Sequence, residues 1–350
     1  MKQVFIPFFL SWICGLLLVP LVRRIALRLG LVDRPDTRKI HAHPIPRIGG
    51  LAIFVASLLG ALPLLSPDPK TTGVMIASTF VFIVGFLDDI LDLPARVKLA
   101  GQILGCLILF SFHVRIEFVT DFISGRGLVA LGLLTYPLTL LWIIGLTNTV
   151  NLVDGVDGLA GGIVFIALAT LLAVRVITPF TQDATTITNV LVLSSALMGA
   201  LLAFLRFNVF PASIFMGDSG AYFLGFLTAS LAVAGGTKGT ILFPLVVPLV
   251  AFGLPVIDVF LAILRRFSKR VPIFQADKDH LHHKLLKLGF SQTETTRFLW
   301  MVSSCFGLLA ILTANIHHRG IEFAVTVLFV VMVIISIKFF LSTKNEKQPS

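Results

Sequence analysis

Eleven mostly apolar stretches divide the chain, at 3–22, 48–65, 73–90, 97–113, 128–147, 158–177, 187–205, 219–235, 239–264, 298–316 and 321–341, with polar connections between them. A helix needs about 20 such residues to cross a hydrocarbon core, and only a helix or closed barrel satisfies its backbone there. The pattern therefore predicts an all-α, polytopic integral membrane protein of about 11 transmembrane helices. Residues 1–341 form a single membrane domain and 342–350 a polar cytoplasmic tail, expected to be disordered. In the ninth stretch Gly253 and Pro255 interrupt the run, so it can break into two helices. The first run reads as a retained span and not a signal peptide. It is long, lacks a small-residue cleavage site, and is followed by Arg23 and Arg24 where a signal peptide has its bases in front.

Composition agrees and narrows the class. Of 350 residues 56% are hydrophobic and 13% charged, against about 45–50% and about 25% in soluble domains. Soluble enzymes, disordered chains and nucleic-acid modules are excluded. Cys14, Cys106 and Cys305 lie far apart inside apolar runs, so neither a disulfide framework nor a thiolate metal site is indicated. The net charge of +10 becomes informative when sorted by connection: 21 of the 28 Lys and Arg fall on one side of the eleven-span scheme. The positive-inside rule then places the N-terminus outside and the C-terminus in the cytoplasm. Two connections, 23–47 and 265–297, carry most of the excess.

The acids are few and costly at membrane depth, and their placement is selective. Asp88 and Asp89 end the third span; Asn151, Asp154 and Asp157 lie between the fifth and sixth; Asp218 opens the eighth; His280, His282 and His283 cluster in DKDHLHHKL. The charge-derived topology used none of these residues, yet puts all of them on the cytoplasmic side. Singly, each has a bland explanation. Asp218 before Ser219-Gly220 suits a helix cap, Asp88-Asp89 a solvated helix end, and the histidines a solvated loop. Asp154 and Asp157, three apart, would share one face of a helix. Four coincidences at one leaflet are harder to accept than one site.

Carboxylates with an amide oxygen are hard ligands that suit Mg²⁺, or Mn²⁺, better than zinc. Magnesium takes one or two protein carboxylates and completes its shell with water and substrate phosphates. The glycine-rich run 155–162 before a helix offers backbone N–H groups to an anion. Arg38, Lys39, His41, Lys98 and the histidine cluster add positive charge. Residues alone thus point to a metal-dependent site for a phosphorylated substrate at the membrane surface.

Five segments, in order, carry a resemblance: DRPDTRKIHAHPIPRIGG (33–50), GFLDDILDLPARVK (85–98), NLVDGVDGLAGG (151–162), FNVFPASIFMGDSG (207–220) and DKDHLHHKLLKLGFS (277–291). The chain resembles the polyprenyl-phosphate N-acetylhexosamine-1-phosphate transferases, over residues 1 to about 340. The resemblance implies transfer of a sugar-1-phosphate from a UDP-N-acetylhexosamine to undecaprenyl phosphate, releasing UMP, at the inner membrane. It implies Asn151 and Asp218 as magnesium ligands and Asp154 and Asp157 as catalytic groups in the same nucleotide-side loop. Asp88 and Asp89 would lie beside the lipid phosphate, orienting it or taking its last proton. Substrate contacts fall to Lys39, to Lys98 on phosphate, to Phe215 on uracil, and to His280, His282 and His283 on sugar and pyrophosphate. Where the enzyme using UDP-MurNAc-pentapeptide has three consecutive histidines, this chain has His280-Leu281-His282-His283, and it has PIPRIGG in place of a threonine-bearing loop. Both departures resemble the UDP-GlcNAc branch, which initiates cell-envelope polysaccharides; the pentapeptide enzyme is the alternative. The expected partners are the two substrates and the bilayer, without nucleic acid, and with a homodimer left open.

Two rivals from other classes fit less well. Ion-coupled transporters place acids near mid-membrane within repeats, whereas no repeat is visible here and the acids sit at span ends. An intramembrane aspartyl protease would find a match in Gly217-Asp218 only; Phe215-Met216 precedes the pair where a Gly-X is needed. Asp258 stays open between a site residue and a paired acid within a span, and His317 and His318 read as solvated.

Overall fold

A computed structural model describes residues 2–33, 44–120, 128–177, 184–236 and 281–313. These form helices α1 (Lys2–Leu29), α2 (Gly49–Ala61), α3 (Pro69–Leu91), α4 (Ala95–Ser111), α5 (Thr135–Val153), α6 (Leu159–Ile177), α7 (Ala184–Asn208), α8 (Gly217–Ala234), α9 (Leu281–Lys287) and α10 (Gln292–Thr313). Two antiparallel hairpins interrupt them: β1 (Val32–Asp33) with β2 (Ile45–Pro46), and β3 (Phe118–Thr120) with β4 (Leu128–Ala130). Among the described residues six helical segments are long and apolar enough to cross a membrane. The chain is a multi-pass membrane protein.

Each expected span within the described residues coincides with a helix, with local shifts. The fifth is the main correction. Residues 128–147 were to be helical, but Leu128–Ala130 pairs with β3, Gly132 takes φ +54°, and a short 3-10 turn delays α5 to Thr135. The helix then runs on to Val153 and carries Asn151 in its last turn. α1 continues past residue 22 to Leu29, because Arg23, Arg24 and Arg28 can extend from a helix end toward water. The two hairpins amend the all-α expectation. The ninth and eleventh stretches, 239–264 and 321–341, the tail, Asp258, His317 and His318 lie outside the described residues.

α8 is the central helix: every residue from Ser219 to Ala234 is buried. It packs against α2, α3, α5, α6 and α7. In lipid there is no hydrophobic drive between helices, so association depends on close contact through small residues. α8 supplies Gly220, Ala221, Gly225, Ala229 and Ala232 for that purpose. A Cβ on Gly225 would stand 2.6 Å from the Cα of Thr147 in α5, and one on Gly50 of α2 would overlap the Gly220 backbone. α1 packs on α7 in the same way, where a Cβ on Gly199 would overlap the Phe8 carbonyl. At its other end α3 is fixed by Asp68, whose carboxylate accepts from the Thr71 N–H at 2.9 Å ahead of Pro69 at the first helical position.

This packing makes two glycines non-equivalent. Gly225→Ala should lower thermal stability in detergent, as overpacking against backbone costs about 1–3 kcal/mol. Gly145→Ala, in open space on α5, should leave it unchanged or raise it by up to about 1 kcal/mol. Equal melting temperatures for the two variants would contradict the α5–α8 contact.

Candidate active site

The ends of several helices meet at one end of the bundle: the C-termini of α1, α3, α5 and α7 and the N-termini of α2, α4, α6, α8 and α10. Here α3 ends at Asp92 in a left-handed conformation (φ 50°) and Leu93-Pro94 turns the chain into α4. The turn points Lys98, in the first turn of α4, back at the last turn of α3. Its Nζ lies 2.5 Å from Oδ2 of the buried Asp88 and 3.5 Å from Oδ2 of Asp218. The other Asp88 oxygen accepts from the Leu93 N–H at 2.8 Å. Asp89 is also buried, and faces α8. Its Oδ1 accepts from the Asp218 N–H at 2.8 Å; its Oδ2 accepts from the Ser219 N–H at 3.1 Å and the Ser219 hydroxyl at 2.5 Å.

From the opposite side, the Asn151 amide donates to Oδ1 of Asp218. The α5–α6 connection that follows is a turn, with Gly158 at φ +75°. Asp154 and Asp157 therefore lie in irregular backbone, contrary to the shared helical face expected for them. Asp157 Oδ2 accepts from the Ala212 N–H at 2.9 Å, tying this turn to the 209–216 connection. Asn208, buried at the end of α7, makes a second tie: it accepts from the Gly158 N–H at 3.1 Å and donates to the Ile214 carbonyl at 2.9 Å. α10 holds the same turn from outside. Thr296 donates to the Asp157 carbonyl at 3.1 Å and Trp300 Nε1 to the Leu159 carbonyl at 3.3 Å. His282 is buried against Gly155, where a Cβ would lie 3.1 Å from its Nε2. The His282 and His283 rings are 4.3 Å apart.

These segments enclose a cavity of about 910 Å³. Asp89, Asn151, Asp154, Asp157, Phe215, Asp218 and His283 all line it, together with Arg23 and Arg47. Arg23 donates to the Ser213 carbonyl at 3.2 Å, and Arg47 approaches the exposed Asp92 at 3.4 Å. Phe215 is held by its backbone, which donates to the Pro46 carbonyl and accepts from the Gly49 N–H. Loss of solvation, then the carboxylates of Asp218, Asp89 and Asp157, push the Asp154 carboxyl well above the usual range. Acids so crowded favour a cation among them. Among the described residues no three His, Cys, Asp or Glu form a ready-made metal cage. A hard divalent ion would need from the protein only one carboxylate and one amide oxygen, with water and phosphate supplying the rest. Asn151 fits this role once its amide is turned over, since its oxygen and nitrogen are interchangeable in outline.

Of the residues singled out in the sequence, Asp88, Asp89, Lys98, Asn151, Asp154, Asp157, Phe215, Asp218, His282 and His283 converge here. Lys39 and His280 lie outside the described residues. Asp218 is not a cap: Met216 holds the cap position and makes no side-chain bond. Asn208, Ser219, Arg23 and Arg47 were not singled out. Asn208 is a polar residue closing an apolar span before Pro211, a signal that was present in the sequence.

The glycosyl transferase family 4 model matches residues 71–236, a range that contains Asp88, Lys98, Asn151 and Asp218. The chain is 35% identical over 340 residues to a probable undecaprenyl-phosphate N-acetylglucosaminyl 1-phosphate transferase of Bacillus subtilis, covering 96% of this chain and 92% of that protein. It is 34% identical over 316 residues to a decaprenyl-phosphate N-acetylglucosaminephosphotransferase of Mycobacterium tuberculosis, with 82% and 77% covered. A phospho-N-acetylmuramoyl-pentapeptide-transferase of Thermoanaerobacter is 32% identical over 319 residues, with 85% and 93% covered.

The Asp88–Lys98 pair gives a measurable coupling. Lys98→Met should destabilise the protein by leaving Asp88 buried without its counter-charge, and Asp88→Asn in addition should recover part of the loss. A coupling below about 0.5 kcal/mol in the double-mutant cycle would mean that the pair contributes nothing to stability.

Proposed function

The chain belongs to glycosyl transferase family 4, among the polyprenyl-phosphate N-acetylhexosamine-1-phosphate transferases, and from that membership we propose that it transfers N-acetylglucosamine-1-phosphate from UDP-GlcNAc to undecaprenyl phosphate at the cytoplasmic face, releasing UMP. As a phosphotransferase of this type, it would thereby start a cell-envelope polysaccharide. The observation that carries the reading is the meeting of Asn151 and Asp218 in one cavity at the end of a membrane bundle, with the Lys98 ammonium 3.5 Å from Asp218. Arg23, Arg24, Arg28, Arg47, Arg96 and Arg206 belong to that same end, which supports its cytoplasmic placement. An apolar cavity of about 1260 Å³ adjoins the polar one and shares Phe210, Pro211 and Ser213 with it. A lipid acceptor thus has apolar surface beside the polar site.

In the reaction an oxygen of the lipid phosphate attacks the β-phosphorus of the UDP-sugar. A new P–O bond forms as the bond from that phosphorus to the bridging oxygen breaks, and UMP leaves with the bridging oxygen. Asp218 and Asn151 would hold Mg²⁺ or Mn²⁺, which when bound neutralises the pyrophosphate and stabilises departing UMP. Lys98, directed by Asp88, places an ammonium where phosphate charge gathers. Phe215 offers a ring face to uracil, and His282 and His283 close over the nucleotide turn on the sugar side. No strong base is required, because a phosphate monoester with a second pKa near 6 is mostly dianionic at neutral pH. A single displacement therefore suffices.

Purified protein given UDP-[³H]GlcNAc, undecaprenyl phosphate and Mg²⁺ should place label in extracted lipid with equimolar UMP. Chelation by EDTA should stop it, and Mn²⁺ should restore it. No lipid label from any UDP-N-acetylhexosamine would end the proposal, and label from UDP-MurNAc-pentapeptide alone would move the chain to that branch. Asp218→Ala should cost on the order of 10²–10³ in turnover, as expected for loss of one charge-stabilising group, without changing expression. A labelled phospho-enzyme formed from UDP-sugar alone would replace single displacement by a two-step route.

A further inference from the structure

Asp89 lies at the active site, yet every hydrogen bond of its carboxylate is made to the first turn of α8. One oxygen takes the Asp218 N–H at 2.8 Å; the other takes the Ser219 N–H at 3.1 Å and hydroxyl at 2.5 Å. Helix N-termini leave their first N–H groups without intrahelical partners, and α8 has no capping side chain of its own, since Met216 occupies that position. The missing acceptor comes instead from α3. Three glycines clear the way for it. At Gly217 (φ +72°) a Cβ would stand 2.6 Å from both Asp89 oxygens; at Gly85, one turn before Asp89, a Cβ would stand 2.7 Å from the Ser219 Cα. At Gly50, on the far side, a Cβ would stand 2.7 Å from the Ser219 hydroxyl oxygen. Asp89 as a residue is 3% exposed, whereas the Asp218 side chain, on the residue whose N–H it binds, is 33% exposed. A negative group against the positive end of a helix is also electrostatically favourable.

We propose that Asp89 is a positioning residue: it caps α8 from the neighbouring helix and so fixes the direction in which Asp218 presents its carboxylate to Asn151, Lys98 and the metal. In this role its carboxylate acts on the first turn of α8. Asp89→Asn keeps one acceptor oxygen but places a donor against the Ser219 N–H, so Asp218 loses its fixed bearing. Ser219→Ala removes only the hydroxyl bond and loosens the same junction less. The role rests on Asp218 being a metal ligand, as proposed above, and the two ideas are separable.

The test measures Mn²⁺ binding to the detergent-purified full chain by electron paramagnetic resonance, alongside Mn²⁺ activation of transfer, for four proteins: wild type, Asp89→Asn, Ser219→Ala and Asp218→Asn. Asp89→Asn should weaken Mn²⁺ binding and raise the half-activating concentration together, by about 10–100-fold as for other groups that orient a metal ligand. Ser219→Ala should shift both in the same direction by a smaller factor. Unchanged Mn²⁺ binding with kcat lost at saturation would overturn the proposal in favour of a direct chemical role. Should Asp89→Asn not fold, Ser219→Ala decides, and unaltered binding there overturns it. If Asp218→Asn leaves binding intact, the metal reading itself fails and the positioning role falls with it. If Asp218→Asn abolishes binding while Asp89→Asn does not weaken it, the positioning role alone fails.

Discussion

Close approach of α8 to its neighbours is the constraint on which the other distances depend. The helix is buried along its length, and it meets α2, α3 and α5 at glycines whose Cβ positions are already occupied by neighbouring atoms. Lipid offers no hydrophobic incentive for these contacts, so dispersion and hydrogen bonds must supply it, and both require short range. Seating α8 this deep brings its N-terminus level with the C-termini of α3 and α5. A bulkier α8 would still cross a membrane, but Asp218 would not reach Lys98 and Asn151 together.

Helix ends then do the electrostatic work. Backbone groups that a helix leaves unpaired are the natural place for charged side chains in a bundle, because polarity is already present there. Asp89 takes the Asp218 and Ser219 N–H groups at the start of α8, whereas Asp88 takes the Leu93 N–H of the α3–α4 turn and the Lys98 ammonium. Asp154, crowded by other acids and without a basic partner among those influences, is the counterpoint. The contrast separates carboxylates neutralised by donors from one that is surrounded by like charge.

Much of this was legible beforehand. Long apolar runs determine the helices, since a span leaves little freedom in length, and the bias of arginine and lysine assigns the acids to one end. Asn151, Asp218 and Lys98 stood out because the topology drawn from the charge bias places all three at the same leaflet. Other features depend on tertiary contacts that spacing does not encode. Asp154 and Asp157 looked like neighbours on a helix, yet Gly158 at positive φ breaks the backbone there and Asp157 turns to Ala212. The delayed start of α5 comes from pairing of Leu128–Ala130 with a strand that is itself too short to announce. Asn208 and Ser219 act through partners 50 and 130 residues away. Lys39 and His280 fall outside the described residues, so their expected roles rest on the resemblance alone.

The clamp of α10 on the α5–α6 turn has a consequence for how the protein is made. Thr296 and Trp300 bond to the carbonyls of Asp157 and Leu159, and Gly162 leaves the space that the indole fills. Ribosomes deliver about 5–20 residues per second, so roughly ten seconds separate the emergence of this turn from that of its clamp. During that interval the early helices can already be inserted and packed. The nascent chain thus acquires its transmembrane scaffold well before this turn is held in place, and a ribosome that stalls in between leaves a bundle without an assembled site.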